Sequence, residues 1–216
     1  RQPPDLRDYW LVFRALLSRK GLTLAGAFFA GMTVLLILFG LLFFLSEHIE
    51  ASLKIGGVPK GLLLAVPVAF TSAVSYLTGR MIKKRLNLMP AVVTAGLLLL
   101  AGALVFFIFF RGTVLFFAGI SLVGTGAGLA LPSLNTLVTS SVGPDARGIT
   151  TALYGGVRFL GVAAGPPLFA FLLPFSLRVT FAAVAALAGL AALLTLLFIR
   201  GGVITSPIEV KHKEKP

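Results

Sequence analysis

The chain contains no cysteine, one tryptophan and only seven acidic residues among 216. Without cysteine, neither a disulfide framework nor a thiolate metal site can form. Charge of either sign is scarce. Asp, Glu, Lys and Arg together make up 12% of the residues, against roughly 25% in an ordinary soluble domain. The carboxylates are Asp5, Asp8, Glu47, Glu50, Asp145, Glu209 and Glu214, and the histidines are His48 and His212. All of them fall at the ends of, or between, the long apolar runs. Proteases and phosphatases that work inside a bilayer need His, Asp, Glu or Ser–Lys groups at membrane depth. No P-loop, H-E-x-x-H or metal-ligand spacing occurs either. The sequence therefore reads as a non-enzyme that calls for no cofactor or metal ion.

What is abundant is apolar. Hydrophobic residues make up 57% of the chain, and the mean hydropathy is +1.01. They gather into six stretches, at about 22–46, 61–79, 90–110, 113–139, 149–174 and 177–199. A bilayer core of about 30 Å needs about 20 apolar residues in a helix, so each stretch is long enough to cross. The pattern predicts an all-α polytopic membrane protein: a six-helix transmembrane bundle over 21–201, with the lipid bilayer as its solvent. The net charge of +12 does not indicate nucleic acid, because the basic residues sit in short loops and in the two tails rather than on a soluble domain.

Those loops set the orientation. Lys and Arg collect on the cytoplasmic side. With the N-terminus inside, the inner loops and tails hold basic residues such as Arg14, Arg19, Arg80, Lys83, Lys84, Arg85, Arg147 and Arg200. The outer loops hold only Lys54, Lys60, Arg111 and Arg178. Six spans then place both ends of this segment in the cytoplasm, and 202–216 reads as a basic cytoplasmic tail. In residues 1–20, Leu6, Tyr9, Trp10, Phe13, Leu16 and Leu17 fall on one helical face. This predicts an amphipathic linker on the cytoplasmic surface, broken by Gly21 before the first span. The opening Arg-Gln-Pro-Pro reads like the interior of a longer gene product.

The spans are not alike. The third and sixth are nearly pure Leu, Ala, Val and Phe, and can face lipid over much of their surface. The fourth carries Gly119, Gly124, Gly126 and Gly128, then Pro132, Ser133, Asn135, Thr136 and Thr139. Gly124 and Gly128 form a G-x-x-x-G pair that permits close helix approach. The fifth carries Tyr154, Gly155, Gly156, Arg158, Gly161, Gly165, Pro166 and Pro167. Polar, glycine-rich helices belong inside a bundle or along a pathway, and packing alone accounts for most of these glycines.

Arg158 is the most expensive residue. A charge at mid-span costs at least about 2.5 kcal/mol on insertion scales, and no span carries a carboxylate to pair with it. Its partner is backbone carbonyls, a bound anion, or a carboxylate on another polypeptide segment. It is either a structural arginine or part of a substrate or coupling pathway. Asn135 either contacts substrate or bridges two helices, since an unbonded amide there is costly. Tyr154, Ser133 and Thr136 join these two as candidate pathway residues. Ser72, Ser75 and Tyr76 in the second span are weaker cavity candidates, because serine often bonds its own helix. His48, at the outer end of the first span, reads as a solvated loop histidine.

Three segments resemble motifs of the major facilitator superfamily. The run from Ser75 through Gly79, Arg80, Lys83 and Lys84 is similar to the G-x-x-x-D-R-x-G-R-K loop signature. It keeps the basic positions and has Gly79 where the family has Asp. Pro144-Asp145-Ala146-Arg147-Gly148 resembles the P-x-x-R-G connector. Gly161, Gly165 and Pro166 resemble the G-x-x-x-G-P part of the antiporter motif. The stretch Tyr154 to Pro167 also looks like bacterial drug-exporter members. The resemblance implies a twelve-span carrier built of two six-helix halves, of which this segment looks like the second. It implies alternating access, with a proton-coupled secondary transporter or efflux antiporter in the bacterial plasma membrane. The partners would be the missing N-terminal half, a small-molecule substrate and protons. It also implies that the fourth span lines a cavity, that the fifth lies between the halves, and that Arg80, Lys83, Lys84 and Arg147 make cytoplasmic contacts that stabilise one state. The coupling carboxylate would then lie in the other half. The alternative is a six-span membrane subunit with a structural or assembly role.

Overall fold

A computed structural model of the chain describes residues 6–84, 86–109 and 113–199, with side chains described over 21–83, 87–109, 115–144 and 146–199. It consists of six long helices: α1 (Leu6–His48), α2 (Gly57–Lys84), α3 (Met89–Phe109), α4 (Thr113–Ser140), α5 (Pro144–Leu172) and α6 (Leu177–Phe198). No strand occurs among the described residues. All six helices are long and apolar enough to cross a membrane. The fold is that of a multi-pass membrane protein, as the apolar runs predict, because only structures that satisfy every backbone group internally survive in lipid.

One boundary differs from the sequence reading. α1 runs unbroken through Gly21 from Leu6 to His48. A glycine in a helix interior costs only about 1 kcal/mol against alanine, too little to break a helix flanked by Leu and Ala. The side chains of residues 1–20 and the whole of 202–216 lie outside the described residues, and so do the amphipathic face and the tail.

α1 is the centre of the bundle. It packs most extensively on α5 and also meets α6, α4 and α2. Ala27, Ala30, Val34, Ile37, Leu41 and Leu45 on it are almost wholly buried. α3 joins α4 to α6, and α2 rests on α4. Enclosure is uneven. In the most apolar stretch of α1, 67% of the residues are buried, against 11% in α2 and 17% in α5. α3 and α6, the purest apolar helices, are better covered than α5, although composition alone sends α5 inward.

Glycines set the close crossings. A Cβ on Gly96 would lie 2.7 Å from the Gly126 carbonyl oxygen, and one on Gly126 would lie 3.0 Å from the Leu100 nitrogen, so α3 and α4 meet backbone to backbone. Gly124 and Gly128 use another face of α4, against Pro67 and Thr71 of α2. Many hydroxyls are satisfied within their own helices. Thr71, Thr94 and Thr136 each donate to the carbonyl of the proline four residues earlier, at 2.8, 2.9 and 2.9 Å.

At one end, Phe44, Phe107, Phe116 and Phe181 from α1, α3, α4 and α6 form a ring cluster, with centroid separations from 4.8 to 5.7 Å. His48 joins it, 4.8 Å from Phe116 and 5.9 Å from Phe44. It is a half-buried member of an aromatic plug rather than a solvated loop histidine. Just beyond it, α1 widens into a π-turn (Ile49–Leu53) that ends at Lys54, with φ of 52°. A Lys60–Glu50 ion pair of 2.6 Å ties this turn to the start of α2. At the other end, the Thr23 hydroxyl donates to the Phe198 carbonyl at 2.9 Å and joins α1 to α6.

Candidate functional site

The densest functional geometry lies along the seam between α1 and α5. Contacts step by four residues on both helices. A Cβ on Gly161 would strike the Met32 carbonyl, one on Gly165 would strike the Leu36 carbonyl, and one on Gly40 would strike the Phe169 ring. Interdigitation of rows spaced by four is a preferred way for helices to pack. Gly161 and Gly165, the glycines of the antiporter-like motif, thus sit where the two backbones touch. Pro166 follows inside the helix.

Tyr154 closes one end of the seam. Its side chain is 1% exposed. Its ring lies 5.3 Å from Phe28, and its hydroxyl fills the space that a side chain on Gly31 would need. Gly31 and Gly40 make room for this seam, and sequence reading passed over them. The only trace they left was the presence of glycine in a leucine-rich run.

Arg158 lies one turn along, at the midpoint of the 29-residue α5. At 1.5 Å per residue it is about 21 Å from either helix end. Its guanidinium carbon sits 5.2 Å from the centre of the Tyr154 ring. Nε of Arg158 and the Tyr154 hydroxyl are both buried without a hydrogen-bond partner. The single ion pair among the described residues is Lys60–Glu50, so no described carboxylate neutralises Arg158. A guanidinium stacked on a ring uses its face and leaves its edge donors free. One turn before it on the same side of the helix, Gly155 has nothing within 4 Å of where a Cβ would stand. Arg158 therefore stands at the rim between the covered and uncovered faces of α5.

The α4 candidates lie apart from this pair. Ser133 is fully buried and its hydroxyl donates to the Leu129 carbonyl at 2.7 Å. Thr136 is half-buried and bonds the Pro132 carbonyl. Asn135 is exposed, and its side chain makes no hydrogen bond to another helix among the described residues. Thr33 on α1, absent from the sequence candidates, is fully buried with an unpartnered hydroxyl.

The loop motifs lie at helix ends. Arg80 is exposed near the end of α2, where Nη1 donates to the Tyr76 hydroxyl at 3.2 Å and the guanidinium lies 5.5 Å from the ring centre. Ser75 and Gly79 are half-buried and Lys83 is exposed, while the side chain of Lys84 lies outside the described residues. Pro144 opens α5, and Arg147 and Gly148 are exposed in its first turns. Arg147 Nε donates to the Thr139 carbonyl at 3.2 Å, and so caps the end of α4 from the next helix.

Comparison with known proteins bears on this arrangement. Residues 27–216 match the family model of the Major Facilitator Superfamily. The chain belongs to that superfamily. It is also similar to the bacillibactin exporter of Bacillus subtilis (strain 168), with 34% identity over 170 residues, 79% of this chain and 42% of the relative. The chain thus spans less than half the length of that relative. The six-helix bundle is consistent with half of the superfamily fold.

Proposed function

We propose that this chain is the second six-helix half of a carrier that exports a small molecule across the bacterial plasma membrane by alternating access. The observation that carries the reading is the uncovered pair α2 and α5, with Arg158 at the rim of the α5 face. A charge at that depth has to meet protein, water or ligand rather than lipid. In the proposed carrier, the other half covers these two helices, and the transport route runs between the halves. Arg158 and Asn135 contact the route, Tyr154 supports Arg158 from within the seam, and Ser133 and Thr136 shape α4 behind it. Arg80, Lys83, Lys84 and Arg147 hold one conformational state from the cytoplasmic side, where both ends of this segment lie. Protons drive the exchange, and the carboxylate that carries them belongs to the other half, because no span here has one.

The test uses the complete gene product in proteoliposomes with an imposed pH gradient, and bacillibactin as the first compound, since the relative exports it by name. Gradient-dependent accumulation that a protonophore abolishes is expected. Flux that persists unchanged after the gradient collapses overturns the coupling. A gene that starts directly at Arg1 overturns the two-half architecture and favours the six-span subunit.

A further inference from the structure

The Arg158 site has a chemical preference written into it. Four observations converge. The guanidinium is held over the Tyr154 ring at 5.2 Å. Its Nε is buried with no hydrogen-bond partner. No described carboxylate pairs with it, the single ion pair lying far along the sequence at Lys60–Glu50. The adjoining helix surface at Gly155 is bare backbone, with nothing within 4 Å of where a Cβ would stand. A guanidinium presents its N–H donors in one plane and suits a two-oxygen anion. The Tyr154 ring lies against the guanidinium and holds it in place. The missing side chain at Gly155, one turn before Arg158 on the same side of the helix, leaves space beside it.

We infer that Arg158, positioned by Tyr154, is the receptor for the anionic group of an organic-anion substrate entering along the α5 face at Gly155. This rests on the transport reading and narrows it to substrates that carry a carboxylate or a similar two-oxygen anion. Arg158 contacts the ligand, and Tyr154 acts through it as a positioning residue. The same chemistry could come from a carboxylate of the other half, and the experiment separates the two sources.

The chain has no cysteine of its own, so a Gly155→Cys substitution places a single thiol one helical turn from Arg158. The complete protein carries this change, with any cysteines elsewhere in it replaced. It is labelled in membranes with two methanethiosulfonate reagents of similar size, one bearing a sulfonate and the other a trimethylammonium. An unpaired arginine at that distance favours the anionic reagent by at least about tenfold over a version without the charge. The expected result is preferential sulfonate labelling that collapses on Arg158→Gln, persists in large part with Arg158→Lys, and weakens with Tyr154→Leu as the guanidinium loses its support.

Equal rates for the two reagents that do not change with Arg158→Gln mean that a carboxylate of the other half already neutralises the arginine, and overturn the proposal. Failure of either reagent to label the Gly155→Cys thiol, while a thiol introduced in a loop labels normally, means the face is sealed by protein and also overturns it. Neither outcome touches the gradient-driven flux of the wild-type protein, so the carrier reading stands or falls on its own assay.

Discussion

The α1–α5 seam can be tested with a single methyl group. In Gly165→Ala the new carbon lands on the Leu36 carbonyl oxygen and 2.8 Å from the Gly40 nitrogen. Both obstacles are backbone, so no side chain can rotate away, and the two helices have to separate. Overpacking of this kind costs about 1–3 kcal/mol, and the neighbouring contact at Gly161 loosens with it. Gly155 lies on the same helix ten residues earlier and supplies the control. A methyl there meets nothing within 4 Å, and replacing a helical glycine by alanine gains up to about 1 kcal/mol of helix propensity. The same propensity gain applies at Gly165 and cancels between the two, so the variants are expected to differ by the overpacking cost of about 1–3 kcal/mol, with Gly155→Ala the more stable. The readout is the heating midpoint of the complete protein in detergent, scored as the fraction that stays monodisperse on gel filtration. Gly165→Ala is expected to lower it by several degrees, and Gly155→Ala to hold or raise it. Equal midpoints would refute the backbone contact between α1 and α5.

The aromatic plug and the polar candidates give further tests. Phe107 faces Phe116 at 5.4 Å and Phe181 at 4.8 Å. Phe107→Ala loses these two pairs between helices and about 1–3 kcal/mol with them, read as a lower heating midpoint, whereas an unchanged midpoint would mean the rings do not pack. Tyr154→Phe removes a buried hydroxyl that has no partner. Since leaving such a group unsatisfied costs about 1–3 kcal/mol, the midpoint should hold or rise, and a clear fall would reveal a partner for the hydroxyl. Asn135 is exposed on α4, so Asn135→Leu should leave the midpoint unchanged while gradient-driven flux falls about fivefold, the net worth of one hydrogen bond. Undiminished flux would remove Asn135 from the route.

Much of the fold could be read from hydropathy, because a bilayer leaves a helix few alternatives. The six apolar runs and the six helices agree closely, and the G-x-x-x-G pair at Gly124 and Gly128 does mark a close crossing, with α2. Enclosure was harder to read. The glycines of α5 point inward by composition, yet the helix uses Gly161 and Gly165 on one face and leaves Gly155 and Gly156 bare on another. A count of small residues cannot say which of them has a neighbour. For the same reason Gly31 and Gly40 went unremarked: their meaning depends on Tyr154 and Phe169, more than a hundred residues away. Ser133 and Thr136 are polar and hence pathway candidates by sequence, but a hydroxyl on a helix can close on its own backbone, and both do. His48 was misplaced because the aromatic cluster it joins draws its other rings largely from three further helices.

The position of Arg158 is the point at which folding and function part company. On insertion scales leucine at a helix centre is favourable by about 0.3–0.6 kcal/mol, whereas arginine costs about 2.5–3.5. Arg158→Leu therefore relieves about 3–4 kcal/mol of insertion cost and gives up a cation–π contact worth about 0.5–2. The balance favours the leucine variant by about 1–3 kcal/mol, so the fold of this half gives no reason for an arginine at that position. The expected outcome is a heating midpoint equal to or above wild type, together with loss of transport. A steep fall in the midpoint would mean that backbone carbonyls or a carboxylate hold the guanidinium as a structural element, and the anion-receptor assignment would fail with it. If the midpoint holds and flux disappears, the cost of burying that charge is one the protein bears for its ligand rather than for its fold.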